Sequence, residues 1–137
     1  MAAVKELLRA EENGTLSFGD YELAAKKKLA DFEFNGDLYK VKTYKDITKL
    51  ECNEILIYES VPGTAVQGLQ VSDKGMTFHV EGPEDAQITL GVEEDTEYEV
   101  LVNGTEVGRM RTNMGGKLSF SVEFTEGEAV AVTAERV

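Results

Sequence analysis

Few side chains in this 137-residue chain are of a type that does covalent or acid–base chemistry near neutral pH: His79 is the only histidine and Cys52 the only cysteine. Nucleophilic catalysis needs a thiol or hydroxyl beside a base that a third group holds in place. His79 alternates with Phe78 and Val80, whose apolar side chains claim the core face of a strand, so it is expected to face solvent. Cys52 stands in "LECNEI" beside two acids, and neighbouring carboxylates raise a thiol's pKa, the opposite of what a nucleophile requires. One cysteine can build neither an intrachain disulfide nor a metal site on paired thiolates. The run Glu93-Glu94-Asp95, followed by Glu97 and Glu99, offers oxygen ligands. Calcium loops, however, space their acids around glycine so that they converge, whereas Glu97 and Glu99 stand about 7 Å apart along a strand face. "GTLSFG" and "NMGGKLS" lack the phosphate-loop frame and the helix behind it. No catalytic residue, no metal site and no cofactor is therefore expected.

The candidates that remain are for binding. Arg109 and Arg111 are same-face neighbours in a very acidic half. Such a pair either offsets cross-strand glutamates or receives an anionic group. Asp73 joins them as a candidate because it stands in "SDKGMTF", whose Asp73-Lys74-Gly75 is also an ordinary turn between two strands.

The formal net charge is −12. Residues 1–67 carry nine basic and twelve acidic groups, and residues 68–137 five basic and fourteen acidic. Such a field repels phosphate backbones and anionic lipid, so nucleic acid and membrane partners are not expected. "MAAVKELLRAEEN" has no apolar run of signal-peptide length, and a cytoplasmic location is expected.

The elements that must position these residues are mostly strands. Val4, Leu7 and Leu8 share one face at helical spacing and Asn13-Gly14 follows, which predicts a short amphipathic helix over residues 2–12. After it the period drops to two. Phe32 and Phe34 lead into Asn35-Gly36, and Tyr39 and Val41 lead out, a hairpin signal within a meander of about four strands. Lys26-Lys27-Lys28 reads as a solvated or edge-protecting segment. "VPGT" at 61–64 reads as a turn. From Met76 onward the inward residues alternate strictly: Met76, Phe78 and Val80, then Ala86, Ile88 and Leu90, then Tyr98, Val100 and Val102, and on through Leu118 to Ala134. Asn103-Gly104, Gly115-Gly116 and Glu126-Gly127 fall at hairpin positions, and a slip of phase near Gly108 marks a bulge. The expected fold is mainly β. It has a helix and meander over 1–67 and an Ig/fibronectin-like β-sandwich over 68–137, the two packed together.

Four resemblances add to this. Asp73-x-Gly75-x-Thr77-Phe78 resembles the Asp box of sialidases and related glycan-binding proteins, in which the aspartate and glycine brace a hairpin. Val92-Glu-Glu-Asp-Thr96-Glu-Tyr98-Glu-Val100-Leu-Val102 resembles the corner-bearing segment of fibronectin type III domains, which implies that the Tyr98 hydroxyl fastens a corner between sheets. The tail containing Asn103-Gly104 looks like the terminal β-sandwich modules of bacterial carbohydrate-active enzymes. Across its length the chain resembles small acidic proteins of anaerobic Gram-positive bacteria, some labelled endosialidase, yet the arginine cluster of sialidase chemistry has no counterpart among Arg9, Arg109, Arg111 and Arg136. The function expected is a non-enzymatic binding or assembly module that engages a protein partner or a second copy. The alternative is a carbohydrate-associated protein that binds or acts on a glycan.

Overall fold

The computed structural model describes residues 3–125 and 128–137, in which the chain forms strands and no helix. A hairpin of β1 (Leu8–Ala10) and β2 (Leu16–Phe18) comes first. A four-strand meander follows: β3 (Lys27–Phe34), β4 (Asp37–Tyr44), β5 (Ile47–Cys52) and β6 (Ile55–Val61). β7 (Ala65–Ser72) and β8 (Gly75–Glu81) form a hairpin, and β9 (Ala86–Gly91) stands apart from it. β10 (Glu97–Val102) and β11 (Thr105–Arg111) form the last hairpin, before β12 (Lys117–Val122) and β13 (Val130–Arg136). All pairings are antiparallel. They build a seven-stranded sheet in the order β1-β2-β7-β8-β13-β10-β11 and a six-stranded sheet in the order β12-β9-β6-β5-β4-β3. Residues before and after position 67 contribute to both sheets, and β7 spans that position.

The two sheets face one another across one core, as two-fold alternation demands of strands with one dry face. Phe18 of the seven-stranded sheet meets Tyr58 of the six-stranded sheet edge-on at 5.2 Å, and Tyr58 meets Phe78 at 5.6 Å. Such T-shaped pairs add about 1 kcal/mol each to what their area contributes. The inward residues read from Met76 onward are buried, with Val102 and Phe124 packed at the margin.

Two expectations need correction. Residues 3–12 are not helical. Val4 and Leu8 are buried at 1% and 2% exposure, and a left-handed Leu7 (φ 74°) turns the chain between them. An isolated helix of about three turns is marginal. Pairing Leu8 with Phe18 and Ala10 with Leu16 instead satisfies the backbone against a sheet. Asn13-Gly14 makes the β1–β2 turn, where the Asn13 side chain accepts from the Thr15 amide and hydroxyl. Gly115-Gly116 is likewise no hairpin. It lies in the crossover from β11 to β12, one sheet to the other, where a Cβ on Gly116 would stand 2.3 Å from the Val92 carbonyl. Glu126-Gly127 lies outside the described residues.

Asn35-Gly36 and Asn103-Gly104 do close two-residue hairpins, with positive φ at all four residues. Opposite β10 the register shifts at Val107, beside Gly108, the site of the expected bulge.

The crossover from β6 to β7 passes through Thr64, which is fully buried. The Thr48 hydroxyl donates to the Thr64 carbonyl at 2.9 Å and accepts the Thr64 amide at 3.1 Å. Its one proton is thereby committed, so the Thr43 hydroxyl, 2.8 Å away, donates to it and accepts the Asp20 amide. The Thr64 hydroxyl meets those of Tyr58 and Ser60, both at 2.7 Å. Gly19 must be glycine here, since a Cβ would lie 2.4 Å from the Thr64 carbonyl. Thr64→Val is predicted to lower the unfolding free energy by about 2 kcal/mol, because two buried hydroxyls lose their partner. Urea denaturation measures this, and Thr89→Val at the exposed Thr89–Ser119 pair serves as the near-neutral control.

Candidate functional site

Of the three binding residues that the sequence nominates, the structure keeps Arg109 and Arg111 as neighbours on one face of β11 and places Asp73 apart from both. Arg109 lies on β11 opposite Glu99, 3.5 Å from that carboxylate and 3.5 Å from Glu106. Arg111 pairs with Asp95 at 3.0 Å and also donates to its carbonyl. Both guanidiniums are thus engaged by the chain's own acids. Asp73 sits exposed in the β7–β8 turn, its carbonyl accepting from Arg136, and lines a recess with Tyr98 and Lys117 that neither Arg109 nor Arg111 reaches. Gly75 closes that turn, and a Cβ there would stand 1.8 Å from the Ala134 carbonyl. His79 faces a different recess beside Arg9 and Asn13. Burial pushes the Cys52 thiol up, against the demand of a nucleophile.

The residues singled out for structure each hold a joint. The buried Tyr98 hydroxyl accepts the Glu93 amide at 3.1 Å and fastens the crossover from β9 to β10. Alongside it, the crossover from β11 to β12 bonds back through Thr112, which donates to the Glu93 carbonyl at 2.7 Å. Asn103 binds Ala131 of β13 through both its amide and its side chain.

A constellation that the sequence reading passed over lies on the outer face of the six-stranded sheet. The pairing registers place Lys28 of β3 opposite Lys42 of β4, and Lys42 opposite Lys49 of β5. The same row continues through Glu59 and Thr89 to Ser119. Three lysines therefore stand side by side at the inter-strand spacing of about 4.8 Å. Lys40 lies two residues along β4, and with the row and Glu51 it borders a shallow recess of ≈ 60 Å³. Lys49 reaches Glu59 at 3.8 Å; neither Lys28 nor Lys42 has an ion-pair partner among the described residues.

Like charges directly opposite one another in a sheet are destabilising. Desolvation, reinforced by Lys49, Lys26, Lys28 and Lys40, holds the Lys42 ammonium below the ordinary lysine pKa. In a chain of net charge −12 this is a local reversal of sign, and its physical meaning is a place that gains from an incoming anion.

The row depends on an irregularity in β3. Counting back from the Asn35-Gly36 turn, Phe32 pairs with Tyr39, and an unbroken register would set Lys28 opposite Thr43 on the core side. The shift between Leu29 and Phe32, with a left-handed Asp31 (φ 58°), sends Leu29 opposite Val41 instead and turns Lys28 outward beside Lys42. The other pairing, Lys42 with Lys49, was within reach of the sequence, because it follows from a two-residue turn at Lys45-Asp46.

No family model, curated protein or solved structure matches the chain.

Two outcomes are predicted. Tyr98→Phe should cost about 1 kcal/mol by urea denaturation, the worth of one buried hydrogen bond. Lys42→Gln should stabilise the fold by about 0.5 kcal/mol at neutral pH and low salt. Because the folded chain holds the Lys42 proton more weakly than the unfolded one, the cost of the charged row is present below its folded pKa. It fades as pH rises through that value towards the ordinary lysine range. The gain from Lys42→Gln should therefore shrink in alkaline buffer, and also as salt screens the row.

Proposed function

We propose that the protein is a non-enzymatic binding module that takes an acidic protein segment on the lysine row of its six-stranded sheet. The observation that carries this reading is the direct cross-strand opposition of Lys28, Lys42 and Lys49, a local accumulation of positive charge on a strongly acidic chain. An ammonium row fits carboxylates delivered one per strand spacing, and desolvation by a partner strengthens each contact. Beside the row, one step along the same strands, Tyr44 and Ile47 are half-buried and Val61 is 52% exposed. A partner that brings apolar side chains as well as acids therefore finds both. A cytoplasmic setting fits the free thiol of Cys52. The fibronectin-like reading of the second half rests on the Tyr98 hydroxyl bond at the β9–β10 crossover.

Retention on immobilised poly-L-glutamate tests the reading. The natural chain is expected to be held at low ionic strength despite its net charge and released as salt rises, while a Lys28→Gln, Lys42→Gln, Lys49→Gln triple variant passes through. A natural chain that passes as freely as the variant overturns the proposal. Retention confined to a polysialic acid column moves the face to the carbohydrate-associated alternative.

A further inference from the structure

The two connections between β9 and β10 and between β11 and β12 are bound into one loop cluster. The Val92 amide donates to the Gly116 carbonyl at 2.7 Å and the Asp95 amide to the Asn113 carbonyl at 3.2 Å. The cluster presents Glu93 and Glu94, both exposed and neither ion-paired among the described residues. At its tip is Met114, 85% exposed, the highest exposure of any large apolar side chain described. The Thr112 and Arg111 bonds to Glu93 and Asp95 brace it, so little freedom is lost when it docks.

This cluster and the lysine row are complementary in two ways. The row offers unpaired ammonium groups next to the apolar stripe of Tyr44, Ile47 and Val61, and the cluster offers unpaired carboxylates next to a flexible thioether that fits irregular apolar surface. They cannot meet within one chain. The five-residue link from β11 to β12 puts those edge strands on one flank of the sandwich, whereas β1 touches β3 on the other, and the row runs from β3. The basic face and the acidic tip thus belong to different flanks.

We infer that the protein self-associates head to tail, the Met114 loop cluster of one copy seating on the lysine row of the next. The inference rests on the reading of that row as an acid-binding face, and names a second copy as the partner. Such a contact joins two different patches, so it is heterologous. It propagates into a ring or an open filament and does not stop at a two-fold dimer.

Sedimentation velocity with two neutralised variants tests it. The face variant is Lys28→Gln, Lys42→Gln, Lys49→Gln. The loop variant is Glu93→Gln, Glu94→Gln, Met114→Ser. The natural chain is expected to grow beyond two copies with concentration, and each variant alone to sediment as a 15.1 kDa monomer, association weakened roughly tenfold or more. An equimolar mixture should stop at two chains, since each variant keeps one intact half of the contact. Met114→Ser alone should weaken assembly without touching a charge, and a strand-type circular dichroism spectrum confirms that each variant is folded. A natural chain that stays monomeric, or variants that assemble as it does, overturns the inference. If that monomeric chain is still held by poly-L-glutamate, the acid-binding reading stands and only the choice of a second copy fails.

Discussion

The fold hinges on how the chain passes from one sheet to the other, and Thr64 is where that passage is most tightly specified. Its amide, carbonyl and hydroxyl are all engaged without water, by Thr48, Tyr58 and Ser60. Through Thr43 the same chain of hydroxyls reaches the Asp20 amide in the connection from β2 to β3. A buried polar network of this kind rewards only one arrangement of its members, because any slip leaves donors and acceptors stranded in a low dielectric. The network thus fixes two crossovers against the middle strands of the six-stranded sheet. Tyr58, whose hydroxyl belongs to the network, also joins Phe18 and Phe78 edge-on in the apolar core.

Where the sequence alternates without interruption, it tells the strands apart by itself. Met76 to Val80, Ala86 to Leu90 and Leu118 to Val122 each keep one parity from end to end, and their burial follows it residue by residue. Asn-Gly turns were equally legible, because few other pairs accept positive φ at both positions. The opening segment was misread since Val4, Leu7 and Leu8 satisfy a helical period only when the kink at Leu7 is unknown. Gly115-Gly116 was misread because a crossover between layers uses the same residues as a hairpin. Neither error is about composition. Both concern which backbone the turn residues join, and that is settled by contacts distant in sequence.

The candidate site was hidden for a related reason. Lys26, Lys27 and Lys28 were conspicuous as neighbours in sequence, yet only Lys28 enters the row. Its companions Lys42 and Lys49 come from strands whose own patterns look like ordinary wet faces. Conversely, Arg109 and Arg111 stood out as the basic exception in an acidic half, and the fold consumes them on Glu99, Glu106 and Asp95. Charge that is visible along the chain and charge that is available on the surface are different quantities, and the difference here is cross-strand register.

That register hangs on one surplus residue in β3, near Asp31. Were the same residues to pair straight through, with none left out of the ladder, the strand could keep its hairpin and its pairing with β4. Its first half would rotate by one side chain, however, taking an ammonium into the core and pushing Leu29 out. The lysine row is for this reason all-or-none in its register, though graded under substitution, and a deletion of the surplus residue itself would leave Lys28 opposite Lys42. A chain that kept the three lysines and every residue of β3 but paired without the irregularity would carry the composition of the site without its surface.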